Sequence, residues 1–230
     1  MAGIFDILGP VMVGPSSSHT AGAVRIGLIA RQLFGRTPDE AEITLSGSFA
    51  ATGKGHGTDR ALVAGLLGMQ ADDMRIPESF EIAKEKGLSF TFLNKEIRDA
   101  HPNTVQMTLK AEGAPDFTIQ ACSVGGGRIC VTNLDGMDVR FSAESNTLIV
   151  RNEDTKGHVA QVTAILDQSK VNIATMQLFR DKRGGSAVMV VEVDQSVPKM
   201  AIEWLRSLDG IIKVTFLDVT EVYAKKGEEA

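Results

Sequence analysis

The sequence predicts an α+β protein of two domains, an N-terminal mixed α/β domain followed by a C-terminal ferredoxin-like βαββαβ domain. Three observations lead there. Two stretches rich in serine, glycine and histidine, Gly14-Pro15-Ser16-Ser17-Ser18-His19-Thr20 and Gly53-Lys54-Gly55-His56-Gly57, each run into a helical pattern. The hydrophobic pattern then changes near Asn146, and from there strand and helix periodicities follow in the order strand, helix, strand, strand, helix, strand. The expected boundaries are 1–145 and 146–224, with a charged tail over 225–230.

Along the chain, Ile4 to Val13 reads as a short strand or turn. Ala23, Ile26, Ala30 and Leu33 recur at three- and four-residue steps, which predicts a helix from Ala21 to Phe34 stopped by Gly35. Glu42 to Ser46 predicts a strand. The glycines at 53, 55 and 57 predict a loop, with Thr58-Asp59 capping a helix that carries Leu62, Leu66 and Met69 and ends near Gly68. Glu78 to Lys86 reads as helix, Leu88 to Leu93 as strand, and Asp99 to Asn103 as loop. Thr104 to Ala111 alternates, with Val105, Met107 and Leu109 on one face, and Glu112 to Asp116 turns the chain into a second strand beginning at Phe117. Ser123-Val124-Gly125-Gly126-Gly127 interrupts that strand as a bulge or a loop, and Asp135-Gly136 makes a hairpin into Val139 to Phe141.

In the second half Thr147 to Val150 is a strand, and Val159, Val162, Ile165 and Leu166 form a helix stripe. Val171 to Phe179 and Ser186 to Val193 are strands joined at Asp181 to Gly185. A helix from Pro198 to Leu208 ends at Asp209-Gly210, before a last strand from Ile211 to Tyr223.

Composition narrows the function. A net charge of −5 with both signs scattered offers no basic stripe for nucleic acid and no polybasic membrane patch. No apolar run approaches the ~20 residues of a bilayer span, and the first residues lack a basic secretory n-region, so a cytoplasmic protein is expected. Cys122 and Cys130 are too few for a disulfide framework, or for a zinc or iron–sulfur site built by this chain alone.

The chemistry concentrates at the two junctions. The hydroxyls of Ser16, Ser17, Ser18 and Thr20 sit where the unpaired N–H groups of a helix N-terminus favour an anion such as a carboxylate. One serine there satisfies a cap, whereas the longer run points to a small acid as ligand. His19 in the same field has its charged form disfavoured, which makes it a proton acceptor near neutral pH. Lys54 and His56, on a loop with little side-chain bulk, are expected at the mouth of the same pocket. A Ser-His hydrolase pair within the motif is disfavoured, because adjacent residues do not face each other. His101 reads as a loop residue bonded to its own turn, and a metal site built from His19, His56 and His101 lacks ligand spacing.

With these residues laid out, the first half resembles the beta subunit of bacterial iron–sulfur-dependent L-serine dehydratase. The resemblance runs through Gly14 to Thr20, Gly47 to Asp59, His101-Pro102-Asn103-Thr104 and Ser123 to Gly127. The second half is similar to an ACT domain, a module that commonly binds amino acids, with Gly157 in its ligand loop and Val171-Asn172-Ile173 at its second strand. Where ACT domains often carry Pro-Gly, this chain has Lys156-Gly157. The resemblance implies a two-chain L-serine ammonia-lyase that forms pyruvate and ammonia without pyridoxal phosphate. It also implies an alpha-chain partner that holds a four-iron four-sulfur (4Fe-4S) cluster.

In that setting His19, His56 and Lys54 are candidates for base or orienting groups, and Ser16, Ser17, Ser18 and Thr20 for the serine carboxylate. Gly157 and Asn172 are expected at one end of the sheet, binding a regulatory amino acid at a self-paired interface. The same first-half module also occurs in some D-3-phosphoglycerate dehydrogenases, which leaves open a purely regulatory, amino-acid-sensing subunit. No strand followed by Gly-x-Gly-x-x-Gly is present, so dehydrogenase activity is not expected of this chain.

Overall fold

The computed structural model describes residues 11–223, apart from the side chains of Lys54 and Glu221. The expected strand or turn over 4–13 therefore lies largely outside the described residues, and the tail over 225–230 wholly so. The chain divides into two compact units at residues 135 and 136.

The first unit opens with one π-helical turn, Ser17–Ala21, continued by α1 (Gly22–Phe34). The switch is visible in the backbone, where Thr20 N–H donates to Ser16 O four residues back and Gly22 N–H to Ser17 O five back. Such turns carry a strain that folds keep mostly at functional positions. There follow β1 (Glu40–Leu45), α2 (Gly47–His56), α3 (Thr58–Leu66), a 3-10 turn (Ile76–Glu78) and α4 (Ser79–Glu85). The strands β2 (Ser89–Asn94), β3 (Thr104–Lys110), β4 (Phe117–Gly125) and β5 (Arg128–Leu134) complete the unit.

The strands of this unit run in the order β2-β1-β3-β4-β5, with β1 and β2 parallel and the remaining pairs antiparallel. Register explains the layering. Ile43 pairs with Met107 and Met107 with Ile119, so alternate apolar residues of three strands stack on one face. That face is buried, and α1 packs against β4 and β5 there. The other face carries Thr108, Thr118, Gln120 and Thr132, whose side chains bond one another across strands.

Helices α1 and α3 cross at Gly27 and Gly65. A Cβ on Gly27 would overlap Leu62 O, and one on Gly65 would overlap Val24 O, so only hydrogen at both positions lets the backbones touch.

Two expectations are corrected in this unit, and the reading of Ser123 to Gly127 as a bulge or loop is borne out. The glycine-rich stretch over 53–57 is the end of a helix rather than a loop: α2 runs to His56, and Gly57 at φ 68 then breaks it. Each helical glycine costs about 1 kcal/mol against alanine, but α2 also buries Phe49 completely, and packing of that size overrides propensity. Thr58-Asp59 is not a side-chain cap, since Gly57 is the cap residue and Thr58 is the first, wholly buried, residue of α3. The run Ser123 to Gly127 reverses the chain between β4 and β5, with a register irregularity between Ser123 and Gly125.

The second unit begins with β6 (Met137–Phe141) and continues with β7 (Asn146–Glu153), α5 (His158–Gln168), β8 (Ile173–Arg180), β9 (Ser186–Val193), α6 (Lys199–Arg206), β10 (Ile211–Leu217) and α7 (Val219–Tyr223). Its four-stranded sheet has the order β10-β7-β9-β8, antiparallel throughout, which is the ferredoxin-like βαββαβ arrangement. Val162, Ile165, Leu166 and Leu205 from the helices pack on Leu148, Val150, Met189 and Val191 from the strands. Gln177 Nε2 donates to Arg140 O at 3.0 Å, tying β8 to β6.

The last strand stops at Leu217 instead of reaching Tyr223. Asp218 Oδ1 accepts the Thr220 N–H at 2.9 Å and Asn146 Oδ1 accepts the Val219 N–H at 3.0 Å, so both side chains satisfy a helix start that the β-branched pattern hides.

Candidate functional site

His19 sits inside the π-helical turn, half-buried, and hydroxyl oxygens meet it on three sides. Ser16 Oγ accepts its backbone N–H at 3.2 Å and lies 3.4 Å from Nδ1. Nε2 lies 3.2 Å from Ser48 Oγ and 3.1 Å from Thr52 Oγ1. The ring meets Phe49 edge-on at 5.2 Å and the His56 ring at 5.0 Å between centroids. The two junctions singled out in the sequence therefore converge.

They converge because α2 is a helix. Ser48, Thr52 and His56 lie four residues apart and form one face that meets the π-turn. Ser48 and Thr52 escaped sequence reasoning for the same reason, since reading the glycines as a loop erased the four-residue step. The α2 start is held by the loop carrying His101-Pro102-Asn103-Thr104, where Pro102 O accepts the Ser48 N–H at 2.7 Å. Asn103 Nδ2 donates to Ser123 O at 3.4 Å, and Ser123 N–H to Asn103 O at 3.0 Å. His101 does what its loop position suggested, its Nδ1 accepting the Asn103 N–H at 3.1 Å.

The other expected residues separate. Ser16 is a cap as well as a neighbour of the His19 ring. Ser17 and Ser18 are half-buried on the π-turn, and their hydroxyls have no hydrogen-bond partner among the described residues. Thr20 is 2% exposed, faces inward under Gly14, and its Oγ1 is unpartnered. The Lys54 backbone belongs to α2, and its side chain lies outside the described residues. His56 is exposed.

The His19 imidazole is held below its ordinary value of 6.5, first by burial and then by repulsion from His56, while a hydrogen bond to the Ser48 backbone opposes the shift. The direction is the one expected at a helix N-terminus, but burial and a second histidine supply it. Because the fold favours the neutral ring, folded-state stability from this group is present above pH 6.5 and is lost as pH falls through the lower folded value. If neutral His19 acts as a proton acceptor in catalysis, kcat/KM stays flat through neutrality and declines with an acid midpoint below 6.5. A pH–rate profile checks this, and a midpoint above 6.5 counts against it.

In the second unit Gly157, at φ 102, is the cap of α5, and open space surrounds the position of a Cβ. Beneath it His158 is buried, with Nε2 2.9 Å from Thr155 Oγ1 and Nδ1 unpartnered. Asn172 Nδ2 donates to Asp194 Oδ2 at 2.6 Å and its N–H to Gln195 Oε1 at 2.7 Å. The expectation that Gly157 and Asn172 share one end of the sheet is corrected. Ile173 pairs beside Val193, as does Asn146, whereas Glu153 pairs with Ser186 at the other end. Helix α5 carries the chain from one end of the sheet to the other between them.

Among the described residues no three His, Cys, Asp or Glu side chains gather as metal ligands, and no helix is long and apolar enough to cross a membrane.

Comparison with known proteins identifies relatives of this chain. The family model for the serine dehydratase beta chain matches residues 3–134, and that for the ACT domain matches residues 146–210. The chain is 42% identical to the probable L-serine dehydratase beta chain of Bacillus subtilis, over 92% of this chain and 96% of that one. It is 38% identical to the L-serine dehydratase beta chain of Peptoniphilus asaccharolyticus, over 83% and 86%. It is also 24% identical to D-3-phosphoglycerate dehydrogenase of Bacillus subtilis, over 86% of this chain and 37% of that enzyme. Among solved structures, the ACT domain from GTP pyrophosphokinase of Chlorobium tepidum aligns over 31% of this chain and 95% of that domain, at 20% identity and a TM-score of 0.26.

Proposed function

The chain belongs to the serine dehydratase beta-chain family and carries an ACT domain, and from that premise we propose that it is the beta subunit of a two-chain, iron–sulfur-dependent L-serine ammonia-lyase. The substrate is L-serine and the products are pyruvate and ammonia. The observation that carries this reading is His19, neutral by environment and held by three hydroxyls beside His56.

Loss of water from serine needs a base for the Cα proton, an anchor for the carboxylate and help for the departing hydroxyl. In this assignment His19 takes the proton. Ser17 and Ser18, at the N-terminus of the π-turn and α1, hold the carboxylate with Ser16 beside them. Thr20 faces inward and serves to seat the turn. His56 lowers the proton affinity of His19, and Lys54 is kept as an orienting cation on the strength of its place in the motif alone.

The partner is an alpha chain holding a 4Fe-4S cluster, which supplies Lewis-acid assistance to the hydroxyl when bound. The donor set of this chain does not fit such a cluster by itself, since Cys122 and Cys130 face each other across β4 and β5 with no third ligand among the described residues. The test is to purify the chain with its alpha partner without oxygen and measure serine-dependent pyruvate formation. Turnover by the pair and none by this chain alone is expected, whereas turnover by this chain alone overturns the two-chain reading.

The ACT domain is assigned a regulatory amino acid, serine first among candidates, bound between two copies of the chain. With Gly157 and Asn172 at opposite ends of one sheet, a single ligand meets both only when two copies contribute one each. The edge strand β8, where Leu178 is 50% exposed, leaves surface for such pairing. The relation to D-3-phosphoglycerate dehydrogenases favours a second reading, a regulatory subunit without catalytic residues. In that reading His19 substitutions alter the response to amino acids and leave kcat intact.

A further inference from the structure

The hydrogen-bond partners of His19 specify more than its position. Nε2 faces two hydroxyl oxygens, Ser48 Oγ at 3.2 Å and Thr52 Oγ1 at 3.1 Å. An unprotonated ring nitrogen has one in-plane lone pair to offer two donors, whereas an N–H can be shared between two acceptors in a three-centre bond. Thr52 decides between these. Its hydroxyl has one hydrogen, and that hydrogen is donated to Ser48 O at 2.9 Å, so toward the ring Thr52 Oγ1 acts as an acceptor.

Nδ1 faces a single oxygen, Ser16 Oγ at 3.4 Å. That oxygen already accepts the His19 backbone N–H, and its own hydrogen is left to point at Nδ1. In the reverse assignment Ser48 could donate to Nε2, but Thr52 Oγ1, its hydrogen held by Ser48 O, would face the ring lone pair at 3.1 Å as one acceptor against another, and the Ser16 hydrogen would have no partner at the ring. Only the Nε2–H assignment gives both Thr52 and Ser16 a compatible partner at the ring.

We propose that Thr52 and Ser48 hold His19 in its Nε2–H tautomer, which makes Nδ1, on the Ser16 side of the ring, the atom that receives the substrate proton. The identity of the receiving atom rests on the catalytic reading above, while the tautomer stands on the hydrogen bonds alone. Nδ1 belongs on that side chemically, because the Cα proton is one carbon from the carboxylate assigned to the neighbouring serines. The electron pair of the broken Cα–H bond becomes the Cα=Cβ bond, the Cβ–O bond breaks and the hydroxyl would leave with its electron pair to the Lewis acid that the partner chain would supply. The proton resides on Nδ1 once the Ser16 hydroxyl has turned its hydrogen away. The imidazolium so formed keeps its Nε2–H on Thr52 and Ser48, whose oxygens stabilise the new charge. Thr52 is thus a positioning residue that acts through His19. Phe49 and His56 fix the ring plane in which both nitrogens point.

Nitrogen NMR of the full chain labelled at histidine reads the tautomer directly, since a lone-pair nitrogen and an N–H nitrogen differ widely in shift. The expected result is a lone pair at His19 Nδ1 and a proton on Nε2. Thr52→Val keeps the side-chain shape on an exposed helix position, and Ser48→Ala provides a second variant. In the assembled enzyme Thr52→Val should lower kcat roughly 10- to 100-fold, taking outer partners of metal-bound histidines as the guide. KM should change little, the acid limb of the pH profile should move to lower pH, and Thr52→Ser should restore all three. A wild-type chain with the proton on Nδ1 overturns the proposal, as does a Thr52→Val, Ser48→Ala double variant with unchanged tautomer and kcat. A His19→Ala enzyme with normal kcat strikes at the catalytic reading instead, and the tautomer measured on the chain alone keeps the two failures apart.

Discussion

Replacing His19 with alanine in the assembled enzyme is expected to lower kcat by a factor on the order of 10² to 10⁴, the range for losing a general acid or base. KM should move far less, because the hydroxyls of Ser17 and Ser18 assigned to the substrate carboxylate are left in place. His56→Ala should cost less than His19→Ala. The His56 ring is exposed and acts on its neighbour through charge, whereas His19 is half-buried and gripped at both nitrogens. Single-turnover kinetics with each variant, alongside a check that the two chains still co-purify, separates loss of chemistry from loss of assembly. Equal and near-normal kcat in both variants would move the assignment to the regulatory reading.

The second large effect falls on stability. Phe49→Ala is expected to cost about 3–5 kcal/mol, the range for deleting a fully buried aromatic ring. Phe49 is 0% exposed, it anchors α2 in the core of the first unit, and its ring supports His19 edge-on. Without it the helix face that carries Ser48 and Thr52 loses its seat, so activity should fall along with the midpoint of denaturant unfolding. Phe49→Leu, which refills most of the volume, should recover most of the stability. An unfolding midpoint unchanged in Phe49→Ala would show that α2 is held chiefly by its glycine-flanked ends and by Pro102.

The elements that could be read from the chain were those whose periodicity is local. The α1 stripe from Ala23 to Leu33, the alternation of Val105, Met107 and Leu109, and the βαββαβ order after Asn146 each repeat within a few residues, and each is present in the structure. The errors share another cause. In α2 the helix propensity of Gly53 and Gly55 is poor, and a loop is the correct local inference. What makes the segment helical is burial of Phe49 and the bond from Ser48 N–H to Pro102 O, a residue far along the chain. The end of β10 was misread for a similar reason, because Asn146 supplies part of the cap of α7 from the start of the domain.

The sequence by itself determined the class of the molecule, the two-part plan and the residues worth suspecting, since composition, periodicity and motif spacing are properties of neighbours in the chain. Tertiary structure alone decided which suspects meet. It set the His19 ring 5.0 Å from His56 and brought Ser48 and Thr52 to Nε2. It also turned Thr20 inward and placed Gly157 and Asn172 at opposite ends of their sheet. The physical reason is that hydrogen bonds and charge repulsion act over a few ångströms of space. Separation along the chain, as between His19 and the α2 face that clamps it, carries no information about that distance until packing has closed the fold.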